Sequence, residues 1–190
     1  ACGDGKLLEG KGFQLSSANS INIGRLAPQI TYYFKAYADL MARGEIKLGD
    51  KVNFSVPTGN FGDILAGYLA KKLGLPVGKL ICASNTNKVL SDFIHTGTYD
   101  RKRPLHKTDS PSMDILVSSN LERLLYLLSG QDSALVADLM AKLNTDGIYT
   151  VPAELKAAID QGFWADCAGD AETTDTVKLV WEKYGYLCDP

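Results

Sequence analysis

The sequence has few of the residues that bind metals or form disulfide bonds. Its 190 residues contain only two histidines and four cysteines, and no two cysteines form a Cys-x-x-Cys pair. A zinc site with the usual ligand spacing is therefore not indicated. We expect Cys2, Cys82, Cys167 and Cys188 to be reduced thiols of a cytoplasmic protein. Cys82 lies within an apolar run, which favours a core position for it.

The sequence also lacks a strong net charge and a long apolar run. Its net charge of −2 gives no electrostatic basis for binding nucleic acid or an anionic membrane. No apolar stretch reaches the roughly 20 residues of a membrane-spanning helix. Hydrophobic residues make up 45% of the chain, which is sufficient for a globular core. We therefore expect a globular protein without nucleic-acid or membrane partners.

The most informative stretch is a short apolar run that leads through a tight turn into a helical pattern. Residues 51–56 favour a β-strand, Gly59 and Gly62 lie three apart in the turn, and a helix is predicted for residues 63–73. The first N–H groups of a helix have no partner within the helix, and the helix dipole is positive there. This corner therefore predicts an anion site made of backbone amides, with Asp63 as the N-cap.

The turn does not match the two common nucleotide-binding motifs. A mononucleotide loop ends in Gly-Lys-Ser/Thr, whereas this turn ends in Gly62-Asp63. A dinucleotide loop needs a third glycine at position 65, which is a leucine. The residues alone leave three hypotheses open: a phosphate site of an enzyme, a nucleotide- or coenzyme-binding module without covalent chemistry, and a structural turn that binds nothing.

The rest of the pattern predicts an α/β fold with a parallel or mostly parallel sheet flanked by helices. Residues 77–84 indicate a second buried strand, so residues 52–83 form one βαβ unit. We expect a three-layer αβα core in residues 1–120, and a mainly helical continuation or insertion of the same domain in residues 121–190. Further helices are predicted over residues 25–42, 85–93, 119–128, 132–143, 153–161 and 170–183. Apolar residues predicted to face the core near the end of the chain are Phe163, Trp164, Val177, Val180, Trp181 and Tyr184.

Residues 96–112 lack any periodicity. A loop of this length in a compact domain is usually functional or mobile, and its basic residues could meet an anionic substrate. A solvated surface loop is the alternative.

Three stretches, in the same order along the chain, resemble threonine synthase, a pyridoxal-phosphate enzyme of fold type II. They read SANSINIGR at residues 17–25, FSVPTGNFGDILAG at residues 54–67 and SPSMDILVSSNLER at residues 110–123. The resemblance implies pyridoxal 5'-phosphate as cofactor and O-phospho-L-homoserine as substrate. It further implies a lyase of threonine biosynthesis, which converts this substrate and water to L-threonine and phosphate in the cytoplasm.

The resemblance also assigns site residues. The cofactor phosphate is expected to contact Gly59, Asn60, Phe61, Gly62 and Asp63. Substrate contacts are expected from Asn19, Ser20, Asn22 and Arg25, for which capping of the following helix is the alternative.

Two side chains of the turn at residues 59–63 are expected to support the shape of this turn rather than to bind the cofactor directly. The Phe61 ring should pack under the loop. The Asp63 carboxylate should accept backbone N–H groups rather than face the phosphate, because like charges repel. Residues 110–114 are expected to cap a helix and to have no catalytic role.

The resemblance implies that one essential residue lies elsewhere. The Schiff-base lysine of the family follows a Ser-Phe pair upstream of these stretches, and Phe34-Lys35 repeats that context only superficially. We therefore expect an internal fragment of a longer enzyme, without a catalytic residue of its own and inactive by itself. The remaining segments of the parent enzyme would then be its partners.

Overall fold

The structure is a computed structural model, and it describes residues 21–189. Seven α-helices, a 3₁₀ helix (Pro111–Met113) and five strands are described in this range. The strands are β1 (Val52–Pro57), β2 (Val77–Ser84), β3 (Thr98–Asp100), β4 (Ile148–Thr150) and β5 (Phe163–Cys167). The helices are α1 (Ile23–Ala42), α2 (Gly62–Lys72), α3 (Val89–Thr96), α4 (Leu121–Leu128), α5 (Ser133–Thr145), α6 (Ala153–Gly162) and α7 (Asp170–Tyr184).

The main sheet has three parallel strands in the order β1-β2-β5. Val56 of β1 pairs with Cys82 of β2, and Cys82 pairs with Ala165 of β5. Helix α2 connects β1 to β2, as predicted for a βαβ unit. The predicted α/β fold with a parallel sheet flanked by helices is confirmed.

The core forms where α1 packs against α2 and α2 packs onto the central strand. Leu80 of β2 is fully buried, and Tyr33 of α1 is 4% exposed. Gly67 of α2 lies between these two side chains, so the helices approach closely at this point. On the same helix the Tyr68 ring lies 6.0 Å from the Phe163 ring of β5. This packing fixes the position of α2 over the sheet.

A second, two-stranded sheet lies within residues 96–112 and the following helical region. β3 and β4 are antiparallel, and Tyr99 pairs with Tyr149 across them. Their rings are stacked with centroids 5.4 Å apart. Residues 96–112 therefore contain a packed strand at their start, in addition to irregular structure.

The end of the described chain differs from the sequence-based expectation. Residues 163–167 form the third strand of the sheet, and Trp164 is 48% exposed instead of anchoring the core. Helix α7 has no buried residue. The inward positions predicted for Trp181 and Tyr184 are wrong, because these side chains are 55% and 68% exposed, whereas Val177 and Val180 are half-buried. The proposed division of the chain at residue 120 stays a prediction.

The starts of α1, α3 and α2 differ from the predicted ones, and α4 and α5 begin two residues and one residue later than predicted. α1 begins two residues early, because the Asn22 side chain accepts the Gly24 N–H at 2.8 Å and caps it there. Pro28 therefore lies in the second turn of α1 rather than the first. α3 begins only at Val89, because the side chains of Asn85 and Asn87 hydrogen-bond to residues 106–114 instead of capping the helix. The start of α2 is part of the candidate site and is described with it.

Within residues 21–189, no helix is both long enough and apolar enough to cross a bilayer. The same residues contain no cluster of three or more histidine, cysteine or acidic side chains that could hold a metal ion.

Candidate anion-binding site

The loop between β1 and α2 is closed by a residue with an unusual backbone. Phe61, not Asp63, is the N-cap of α2, and its φ of 64° lies in the left-handed region. This conformation costs a non-glycine residue roughly 1–2 kcal/mol. Burial of the ring offsets that cost, because Phe61 is 1% exposed and its ring lies 5.9 Å from that of Phe163. The prediction that Phe61 packs under the loop is confirmed, and the prediction of Asp63 as the N-cap is wrong.

A pocket of about 190 Å³ opens over this loop. We call it the amide pocket, and its lining residues are Gln29, Pro57, Thr58, Gly59, Asn60, Phe61, Gly62, Asp63, Ile64 and Ser112. All five residues expected to contact the cofactor phosphate lie on it.

The backbone N–H groups of the loop have no acceptor among the described residues. Thr58 N–H donates to Ala83 O at 2.8 Å, and Leu65 N–H donates to Phe61 O at 3.2 Å. None of the N–H groups of residues 59–64, between these two, has a partner in residues 21–189. Because unpaired N–H groups at a helix start attract negative charge, the amide pocket has the donors that an anion requires.

Gly59 is required by close packing and not by its backbone angle. A Cβ at this position would lie 3.0 Å from the Ser112 carbonyl oxygen and 3.3 Å from the Met113 Cα. The segment that carries Ser112 therefore forms a wall of the amide pocket, in contact with the loop.

The wall is held by the carboxylate of Asp114. Its oxygens accept hydrogen bonds from the Thr108 N–H at 2.9 Å, the Thr108 hydroxyl at 2.7 Å, Asn85 at 2.8 Å and Asn87 at 3.0 Å. The bonds from Thr108, followed by those from the two asparagines, hold the pKa of Asp114 below its usual value. The expectation that residues 110–114 only cap a helix is therefore wrong, because this carboxylate ties the segment to the end of β2.

Asp63 lies in the first turn of α2 and is half-buried. The Tyr33 hydroxyl donates to its backbone oxygen at 2.8 Å, and its Oδ1 is buried without a partner among the described residues. No described backbone N–H donates to the Asp63 carboxylate, so the role predicted for it is wrong. Burial raises the pKa of Asp63, and the nearby Tyr33 hydroxyl opposes this rise in part.

Replacing Asp63 by asparagine is expected to stabilise the chain at pH 7 and to have little effect at pH 3. The unfolded chain loses this proton near pH 3.8, whereas the folded chain holds it to higher pH. The stability associated with the raised pKa is therefore present below pH 3.8 and is lost as the pH rises through the folded pKa. Asparagine does not ionise, so it avoids this loss. Urea unfolding between pH 3 and pH 7 measures the difference.

The control for this change is Asp175→Asn on the exposed surface of α7. It should show no gain in the free energy of unfolding that grows with pH. An equal gain in both variants would contradict the explanation.

Of the four residues expected to bind substrate, the two that the structure describes do not line the amide pocket. Asn19 and Ser20 lie outside the described residues. Asn22 caps α1, and Arg25 is exposed in the first turn of that helix. Neither is among the lining residues, whereas Gln29, one turn further along α1, is. The substrate contacts stay a prediction.

Two arginine side chains in residues 96–112, which could have met an anionic substrate, have partners within the protein. Arg103 forms an ion pair with Asp92 at 2.7 Å, and Arg101 donates to Asn144 O at 3.1 Å. These contacts tie the loop to α3 and α5.

Sequence reasoning missed four residues that line or hold the loop. Gln29 and Ser112 line the amide pocket. Ser118 and Asn120 hydrogen-bond to the carbonyl oxygens of Gly59 and Asn60. Ser112, Ser118 and Asn120 lie in the stretch of residues 110–123 that carries the resemblance, but no local pattern places them at the loop. Tertiary packing brings these residues and Gln29 to it.

Comparison with known proteins gives a consistent result. No family model matches the chain. Threonine synthase-like 1 from Homo sapiens is 47% identical over 177 residues, which cover 93% of this chain and 24% of that protein. Threonine synthase from Pseudomonas aeruginosa is 44% identical over 180 residues, which cover 95% of this chain and 37% of that protein.

Solved structures agree with these relatives. The crystal structure of threonine synthase from Brucella melitensis, with pyridoxal phosphate bound, matches with a TM-score of 0.87 at 46% identity. The match covers 93% of this chain and 37% of that chain. The structure of the yeast threonine synthase matches with a TM-score of 0.80 at 40% identity, over 86% of this chain and 33% of that chain. The chain thus spans between 24% and 37% of the length of these relatives, and over that part it belongs to the threonine synthase family.

Proposed function

We propose that the amide pocket binds the phosphate group of pyridoxal 5'-phosphate. The observation that carries this proposal is the run of six N–H groups, from residue 59 to residue 64, without an acceptor in the described chain. A phosphate group has close to two negative charges at neutral pH and several acceptor oxygens. The positive end of α2 adds to the attraction.

The chain's own residues have distinct parts in this proposal. The N–H groups of Gly59, Asn60, Phe61 and Gly62 donate to the phosphate, and the buried Phe61 ring holds the turn in shape. Asp63 lines the same pocket from the first turn of α2, and burial raises the pKa of its carboxyl group. The bound cofactor would supply the electron-withdrawing ring on which the reaction of this enzyme class depends.

We further propose that the parent protein converts O-phospho-L-homoserine and water to L-threonine and phosphate. Family membership supports this reaction, with Asn19, Ser20, Asn22 and Arg25 as the substrate contacts. No described residue lining the amide pocket is a lysine. We therefore place the Schiff-base lysine in another part of the parent protein, together with the remaining segments that complete the site.

An NMR titration tests the phosphate site. The ¹⁵N-labelled chain is titrated with inorganic phosphate and with pyridoxal phosphate, against sodium chloride at equal ionic strength. We expect saturable shifts centred on the amides of residues 59–64. Shifts spread over surface lysines, or none at all, would refute the proposal. Tighter binding of AMP than of phosphate at these amides would favour the nucleotide-binding alternative.

A separate assay tests activity. We expect the 190-residue chain, mixed with pyridoxal phosphate and O-phospho-L-homoserine, to release no more phosphate than the cofactor alone does. The reason is that the amide pocket contains no lysine among its described lining residues. Release at an enzyme-like rate would overturn the expectation that the chain is inactive by itself.

A further inference from the structure

Two side chains from the segment just before α4 bond to the carbonyl oxygens of the anion-binding loop between β1 and α2. The Ser118 hydroxyl donates to Gly59 O at 2.7 Å. The Asn120 backbone N–H and side-chain amide both donate to Asn60 O, at 3.1 and 3.0 Å. Neither Ser118 nor Asn120 is among the residues that line the amide pocket. The contacts therefore reach the loop from a side other than the pocket.

These bonds fix the direction of two N–H groups. In a trans peptide the C=O and the following N–H point in opposite directions, and the described chain has no cis peptide. The Gly59 carbonyl points toward Ser118, so the Asn60 N–H points away from it. The Asn60 carbonyl points toward Asn120, so the Phe61 N–H likewise points away. Both N–H groups belong to residues on the amide pocket.

The two donors are themselves held in place. Asn120 is fully buried, and its Oδ1 accepts from the Arg123 guanidinium at 2.7 Å. The Ser118 N–H donates to the Tyr99 hydroxyl at 2.9 Å, and that hydroxyl donates to Leu116 O at 3.1 Å. Tyr99 is 1% exposed. The orientation of the loop therefore depends on buried groups, whose hydrogen bonds do not compete with water.

We propose that Ser118 and Asn120 are positioning residues for anion recognition, which keep the Gly59 and Asn60 carbonyls out of the amide pocket. Without them either peptide can rotate and present its oxygen to the pocket, where it repels an anion. A fixed set of donors binds an anion without the cost of reorienting them. This inference rests on the proposed phosphate site.

The decisive variant is Ser118→Ala, which removes one hydroxyl and leaves the Asn120 contacts in place. Loss of one hydrogen bond that orients a donor should weaken phosphate binding about fivefold. Ser118→Thr, which keeps a hydroxyl, should restore most of the affinity. The matched control is Ser129→Ala, where an exposed serine hydroxyl donates to the Tyr126 carbonyl at 3.1 Å, away from the loop.

Two measurements separate this inference from the proposed function. Phosphate affinity is measured by NMR titration for each variant. The direction of the Asn60 N–H is measured without ligand from its residual dipolar coupling. We expect Ser118→Ala to change both and Ser129→Ala to change neither. Unchanged phosphate affinity in Ser118→Ala overturns the inference. If the unmodified chain binds no phosphate, the proposed function fails, and an unchanged Asn60 coupling in Ser118→Ala then overturns the positioning role as well.

Discussion

Replacing Gly67 by alanine is expected to lower the free energy of unfolding by about 2–3 kcal/mol. The added Cβ would lie 2.6 Å from Cε1 and 2.7 Å from Cζ of Tyr33, and 2.9 Å from Cδ2 of Leu80. The Tyr33 ring cannot move aside easily, because it meets the Phe54 ring edge-on at 5.0 Å and its hydroxyl bonds to Asp63 O. α2 must therefore shift away from α1 and from the sheet. Urea unfolding followed by circular dichroism measures the loss.

Gly162→Ala is the matched control for this change. Gly162 also lies in a helix, α6, but a Cβ there meets nothing within 4 Å. Alanine is preferred to glycine within a helix by roughly 0.5–1 kcal/mol, so this variant should be equal to or more stable than the unmodified chain. If the two variants changed stability in the same direction and by the same amount, close packing at Gly67 would not be the cause.

Local sequence patterns were sufficient to predict the strand, turn and helix of the anion-binding loop. The apolar run of β1 and the helical spacing of α2 both act over a few residues, and both were confirmed. The backbone of Phe61 could not be predicted in this way. A positive φ is expected at glycine, and only the burial of the ring against Phe163 explains why a phenylalanine adopts it here.

Contacts between distant parts of the chain were the main source of error. Residues 163–167 alternate between buried Phe163, exposed Trp164 and buried Ala165, which is the spacing of a strand, but five residues give a weak signal. Helix α7 shows the reverse case. Its apolar residues have helical spacing, yet none of them is buried in the described chain, and Trp181 and Tyr184 are 55% and 68% exposed. Spacing predicts the type of an element better than its burial.

The candidate site likewise has one part that local sequence patterns predict and another that depends on contacts between distant residues. The loop that presents the N–H groups was predicted, because a helix start after a glycine-containing turn is a local feature. The residues that orient and wall the loop were not predicted, since Ser118 is 59 positions from its partner Gly59. The electrostatic state of Asp63 also depends on burial beneath α1, which no local pattern contains.

Replacing Gly59 by valine is expected to weaken phosphate binding by more than tenfold. The first added carbon already lies 3.0 Å from the Ser112 carbonyl oxygen and 3.2 Å from Cδ1 of Ile115, and valine adds two further methyl groups. The wall cannot yield, because the Asp114 carboxylate holds it by four hydrogen bonds from neighbouring segments. The loop must move instead, and its N–H groups then no longer converge on one anion. A misplacement costing about 1.4 kcal/mol already reduces affinity tenfold.

Gly162→Val serves as the control, because it adds the same side chain where a Cβ has open space around it. Phosphate titration of both variants, with circular dichroism to verify that each is folded, gives the comparison. We expect the shifts of the amides of residues 59–64 to saturate normally in Gly162→Val. In Gly59→Val they should be absent or require much more phosphate. A folded Gly59→Val chain with unchanged affinity would show that the contact between the loop and residues 112–115 does not shape the site, because the donors would then have kept their geometry despite the added bulk.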